Sequence, residues 1–341
     1  VAECRTADRP WLIGPRADAW FVFGLGGLFS LVLYLCWRAG DGFLVVAAVF
    51  AVLVDFPHVL WTSLRVLLDP DERERNGRHY LVSLAVILAA VGGLTVAGRF
   101  DVVLTVFVGW QVLHVVKQHI GMVSVYAARA QSRRDRRPAK YLLIAGCSAP
   151  VLYRLSEGLH LGHYVIAGRP LPFSDAEVLL PPVPVAVVVL GYALFGVALV
   201  RFVVDEVRSA ERLPGIALAT IGVALTFYNL SYVLVSDPYA LILIATTFHG
   251  FQYHVISWAR NRGRFAGTGS RLLLARLTCP KSVWPLGLAL AGVGGALSQG
   301  EFVLGGVIPF TIVLHHFYLD GRLWKPAGNP GLARHLALAS R

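Results

Sequence analysis

The sequence predicts an all-α, polytopic transmembrane helical bundle of about ten spans, a single integral-membrane domain over 1–341 with both termini cytoplasmic. Three observations predict it. The chain is 56% hydrophobic and 15% charged, less charge than a soluble domain of 341 residues carries. Its apolar residues run in long blocks, not in alternation. Lys and Arg collect between alternate blocks, 26 of 31 on one side and four on the other.

The blocks lie at 17–37, 43–67, 80–98, 101–127, 140–156, 181–204, 214–235, 239–259, 283–300 and 302–323, at roughly 20 residues per span. No secretory cleavage pattern follows the first block, so it reads as a span and not as a signal peptide. The second carries Pro57, which should perturb its helix and free a carbonyl. The fifth is short and holds Pro150, which blurs its limits. The longest outer loop, 157–180, contains His160 and His163 and reads as a lid or re-entrant segment. Those two histidines either bind a second ion or are simply solvated. Four cysteines lie far apart with no CxxC pair, so neither a disulfide framework nor a thiolate metal site is expected.

The formal charge of +11 sits in the loops between apolar blocks. That distribution is the positive-inside pattern of a membrane protein and argues against a nucleic-acid partner. The expected location is an inner or plasma membrane of bacterial type. The Arg-rich loops are first topology determinants. They also offer docking surface to anionic membrane lipid or to an acidic redox partner.

Seven histidines fall inside apolar blocks: His58, His114, His119, His249, His254, His315 and His316. They occupy spans two, four, eight and ten, which the alternation makes parallel, and each lies in the cytoplasmic half. Ionisable groups at membrane depth are costly and mark function. One such histidine would simply bond a neighbouring helix. Seven at one level predict a buried metal site, because neutral imidazole is the commonest protein ligand for transition metals. Residues five apart on a helix diverge by roughly 140°. His114 and His119 should therefore not share one ion, and neither should His249 and His254. They would flank two ions, or one of each pair would serve as support.

Carboxylates accompany the rings. Asp55 with His58, and His316 with Asp320, are three and four residues apart and can share a helix face. His58, His119, His254, His315 and His316 rank first as ligands. His114, His249, Asp55 and Asp320 follow as ligands or close supports. Gln111, Gln118, Gln252, Asn229 and Tyr232 are available to fix tautomers. Lys117 and Tyr253 are the candidate catalytic side chains, Lys117 by pairing with a carboxylate or lining an anionic substrate pocket. Nitrogen-rich ligation with oxygen support suits iron, copper or zinc, with iron first.

The His114-x4-His119 and His249-x4-His254 boxes and the His315-His316 pair resemble those of the histidine-rich integral-membrane di-iron oxygenases: desaturases, hydroxylases and alkane monooxygenases. The His-x-x-His-His box of that family is absent. Asp55-Phe-Pro-His58 is similar to motifs of the membrane carotene-cleaving oxygenases. The resemblance implies two irons near the cytoplasmic face, a ferredoxin-type electron donor and O₂-dependent oxidation of a hydrophobic small molecule. Two other readings stand beside it. One is a haem-bearing electron-transfer protein; the other is a histidine-lined transporter for a metal ion or a proton-coupled solute.

Overall fold

In lipid no water takes the backbone N–H and C=O groups, so an apolar block must pair them internally, as a helix does. The computed structural model describes residues 10–40, 42–159, 165–166, 169–170, 178–265, 302–325 and 329–338. Among the described residues, six helices are long and apolar enough to cross a membrane: α1 (Pro15–Ala39), α2 (Phe43–Leu68), α3 (Pro70–Val96), α4 (Phe100–Arg129), α6 (Val185–Arg208) and α7 (Gly215–Leu234). Between them, α5 (Arg137–Glu157) passes Pro150 without ending. Two further helices follow, α8 (Pro238–Phe265) and α9 (Phe302–Leu323), then a short α10 (Pro330–His335). The segment 283–300, read as a ninth span, lies outside the described residues, as do His160 and His163. Within the 157–180 loop, Val165–Ile166 pairs antiparallel with Arg169–Pro170.

Two local features follow directly from sequence. Asp69 caps α3, its carboxylate accepting from the Asp71 amide at 3.2 Å, and Pro70 takes the first helical position, where no N–H is needed. In α2 a π-helical stretch, Ala51–Asp55, immediately precedes Pro57. Proline cannot donate to the preceding turn, and the wider turn accommodates it. The Val54 carbonyl there accepts from His254 Nε2 at 2.9 Å.

Burial separates lipid-facing helices from interior ones. On α6, Val185, Val189, Val197 and Val207 are all exposed. By contrast α8 is buried on nearly every side and packs against α1, α2, α4, α7 and α10. Its polar residues therefore face protein, which explains why it is less apolar than the outer helices. Contacts also join α8 to α2 and α4, and α9 to the same two. Helices α2, α8, α4 and α9 thus close a four-membered ring.

A buried ion network ties three of these helices together beyond their C-terminal halves. Arg65 of α2 pairs with Glu72 of α3, and its Nη2 donates to the Leu323 carbonyl at the end of α9. Arg260 of α8 donates to Asp69 at 2.6 Å and to Glu72 at 3.3 Å. Asn329 donates to Glu72 at 3.0 Å, and Trp324 lies under the Arg65 guanidinium at 4.7 Å. The C-terminal ends of α2, α8 and α9 therefore converge, so these helices run the same way. Arg65 and Arg260, expected as topology determinants, are structural as well.

Burial alone would raise the Asp69 carboxyl, but Arg260 and then Arg264 outweigh it and hold it below the ordinary 3.8. A carboxylate lowered on folding stabilises the fold above its unfolded value and loses that contribution as pH falls through the folded one. Thermal unfolding in detergent should therefore be flat near neutral pH, and the melting temperature should drop below about pH 4. Asp69→Asn should cost about 3 kcal/mol, because it strips a buried guanidinium of its nearest counter-charge, and should flatten the acid limb of that profile.

Candidate metal centre

Each helix of the ring contributes one imidazole to a common point. His58 comes from α2, His114 from α4, His249 from α8 and His316 from α9, and all four are buried. Their rings meet edge to face in cyclic order. Centroid separations are 4.8 Å for His58–His249, 4.8 Å for His249–His114, 5.0 Å for His114–His316 and 4.5 Å for His316–His58. Each offers a ring nitrogen within 4.8 Å of the other three. An ion about 2.1 Å from each nitrogen needs N···N separations of roughly 3–4 Å, so a small inward movement suffices.

The hydrogen bonding leaves at least one nitrogen of each ring without a hydrogen-bond partner among the described residues. His58 Nδ1 and Nε2, His114 Nε2, His249 Nδ1 and His316 Nε2 are buried and bonded to nothing among the described residues. Leaving a buried polar atom unpaired costs ~1–3 kcal/mol. Several at one point indicate a ligand that accepts nitrogen lone pairs.

Thr62, one turn beyond His58 on α2, decides the tautomer of His316. A hydroxyl has one proton and two lone pairs. Thr62 Oγ1 donates to Asp320 Oδ1 at 2.8 Å. It therefore accepts from His316 Nδ1 at 2.8 Å and from the Tyr253 hydroxyl. His316 then carries its proton on Nδ1 and presents the Nε2 lone pair to the cluster. Tyr253 also approaches Asp320 Oδ1, at 3.3 Å. The other carboxylate oxygen of Asp320 lies 3.7 Å from His316 Nε2 and 4.0 Å from His114 Nε2. Asp320 is thus the carboxyl group beside the rings of His114 and His316. Asp55 Oδ1 stands 3.5 Å from His58 Nδ1, from the half-exposed side.

The remaining histidines, three of which rank first from sequence, lie outside this group and bond other partners. His119 uses Nδ1 on Gln252 Oε1 at 2.9 Å and stacks on Phe248. His254 is engaged with the Val54 carbonyl. His315 bonds Ser83 Oγ at 2.9 Å; Ser83 itself donates to backbone carbonyls, so it accepts from His315. His114 and His249, not His119, His254 and His315, join His58 and His316 in the four-ring group. The roughly 140° between residues five apart is the reason: one of each pair faces the cluster and the other must turn away. The one four-histidine group among the described residues also leaves the sequence expectation of two ions without a second ligand set.

Other candidates sort by position. Gln118 donates to the His249 carbonyl at 2.8 Å and so fixes the backbone behind a ligand. Asn229 bonds the Gly146 carbonyl at 3.3 Å and Tyr232 stacks on Tyr228, both away from the four rings. Lys117 is exposed on α4, one turn beyond His114, whereas Tyr253 is buried with its ring 4.9 Å from that of His58. His79 of α3 bonds the Tyr318 hydroxyl. Thr62 was missed in the sequence. Its only signal there is the four-residue spacing from His58, which places it on the same helix face.

No family model, curated protein or solved structure matches the chain.

Alanine at His58, His114, His249 or His316 should each abolish stoichiometric metal in elemental analysis of purified protein. His254→Gln and His315→Ala should retain it. Thr62→Val should weaken metal retention about 10–100-fold, the usual range for lost supporting hydrogen bonds, with Thr62→Ser restoring it.

Proposed function

We propose that the chain is a membrane-embedded metal-dependent oxidoreductase, with a metal centre at His58, His114, His249 and His316, that oxidises a small hydrophobic molecule with O₂. The observation that carries the reading is the set of four buried, mutually adjacent imidazoles, each with a ring nitrogen that makes no hydrogen bond among the described residues. Four nitrogen donors with neighbouring carboxylates suit iron, copper or zinc and disfavour magnesium and calcium. Iron is our first assignment. Such an ion, when bound, supplies the redox chemistry by which dioxygen oxidises an unactivated substrate. The described ligands support one ion, where the sequence pattern alone favoured two.

The chain's own residues hold and shield this site. Thr62 fixes His316, Gln118 supports His249 through its carbonyl, and Asp320 balances charge beside His114 and His316. Tyr253 presents a buried hydroxyl within the same hydrogen-bond group. The surrounding apolar bundle keeps water from the reacting atoms, as oxidative chemistry requires. Substrate class follows from the surroundings: a molecule that partitions into lipid reaches a site inside a membrane bundle. Hydroxylation, desaturation and heteroatom oxidation all fit. We place the site toward the cytoplasmic face from the Lys and Arg bias, within reach of a ferredoxin-type donor. The haem reading fits less well, since four mutually adjacent rings leave no room for a macrocycle between two of them.

Protein grown in labelled iron should show about one iron per chain by elemental analysis, with a Mössbauer signal of nitrogen-ligated high-spin iron. Reduced protein should consume O₂, and His249→Ala should lose both properties. Stoichiometric zinc without O₂ consumption would end the oxidative reading while leaving the metal centre intact. A folded sample free of any transition metal would end both.

A further inference from the structure

The two oxygens of Asp320 have different surroundings. Oδ1 accepts from Thr62 Oγ1 at 2.8 Å and lies 3.3 Å from the Tyr253 hydroxyl. Oδ2 instead lies 3.7 Å from His316 Nε2 and 4.0 Å from His114 Nε2. Both of those nitrogens are buried and make no hydrogen bond among the described residues. Asp320 is itself only 6% exposed, four residues after His316 and on the same face of α9.

These two separations exceed hydrogen-bond length. At His316 the reason is chemical. Thr62 accepts the Nδ1 proton, so Nε2 carries a lone pair. A carboxylate oxygen also offers only lone pairs. Two acceptors then face each other out of water, and they repel unless something positive lies between them. A proton on Oδ2 would draw the two atoms into an O–H···N bond, and at 3.7 Å no such bond is made. A metal ion suits the gap better. Two bonds of about 2.1 Å span up to about 4.2 Å, so one ion bridges Oδ2 to either nitrogen without any movement.

We infer that Asp320 Oδ2 is a fifth ligand to the ion held by His58, His114, His249 and His316, entering between His114 and His316. The inference rests on the proposed metal centre and extends its ligand set from four donors to five. Asp55 is not equivalent, since it approaches one ring nitrogen, His58 Nδ1 at 3.5 Å, from the half-exposed side. Thr62 gains a second task. Its bond to Oδ1 turns the carboxyl so that Oδ2 faces the rings, while the same hydroxyl fixes His316. Four imidazoles and a carboxylate exceed the four donors of a structural zinc site. On an octahedral ion they leave one position for an incoming molecule.

The test titrates cobalt(II) into full-length protein stripped of metal by a chelator, because the intensity of cobalt(II) visible bands reports coordination number. Wild-type protein should bind one cobalt(II), with the weak to moderate bands of an ion carrying five ligands or more. Asp320→Asn keeps an oxygen for Thr62 but offers no anionic donor. It should bind cobalt(II) more than about a hundredfold more weakly, beyond the roughly 10–100-fold loss of a merely supporting partner. Its bands should also gain intensity, as one ligand fewer requires. Thr62→Val should stay within the supporting range and keep the wild-type bands. Equal melting temperatures of the metal-free proteins would show that the variants fold. Strong four-coordinate bands in wild-type protein would overturn the assignment without reference to any variant. Wild-type bands in Asp320→Asn would overturn it too, since the additional donor would then be another group. Wild-type protein that takes up no cobalt(II) would end the metal centre itself, and the fifth ligand with it.

Discussion

A neutral imidazole carries one N–H and one lone pair, and both need partners once the ring leaves water. In a helical bundle the backbone offers little, because its own donors and acceptors are already paired along each helix. Four imidazoles meeting at the centre of a ring of helices can be satisfied together by a group that takes several lone pairs at once. A transition-metal ion is one such group. The closeness of the rings and the nitrogens that make no hydrogen bond fit that one requirement. So does the demand that α2, α4, α8 and α9 keep a common level.

Two polar systems meet the demand, one at the rings and one about 10 Å away along α2 and α9, the seven-residue rise from His58 to Arg65 and from His316 to Leu323. Near the rings, Thr62 joins His316, Tyr253 and Asp320 through a single hydroxyl whose hydrogen-bonding capacity is fully used. Further along, Arg65, Asp69, Glu72 and Arg260 lock the ends of α2, α8 and α9 against one another. Buried ion pairs add little net stability compared with apolar packing, but they are costly to break singly. Their value here is register. A helix that slid by one residue would lose both its ligand alignment and its place in the network.

The three histidines that turn outward have uses of their own. His254 takes the carbonyl exposed in the π-helical stretch just before Pro57 and His58, so it braces the backbone that aims a ligand. His119 engages Gln252 beside α8, and His315 ties α9 to α3 through Ser83. Pairs of histidines on one helix thus divide into a ring that faces the centre and a ring that fastens the helix to its neighbour.

Composition and block length were enough to settle that this is an all-helical chain with membrane-crossing segments, because lipid permits an isolated apolar block no other backbone pairing. The helical repeat was also enough to say that His114 and His119, or His249 and His254, could not both face one ion. Which member faced inward was not legible. That depends on the rotation of each helix about its axis, and rotation is set by packing against neighbours distant in sequence. The same limit hid Thr62, whose role exists only because α9 and α8 bring His316 and Tyr253 to it. It also hid the network at Arg65 and Arg260, since charge counting along a chain sees their sign and not their burial. Periodicity fixes what a helix can present; only tertiary contact chooses what it does present.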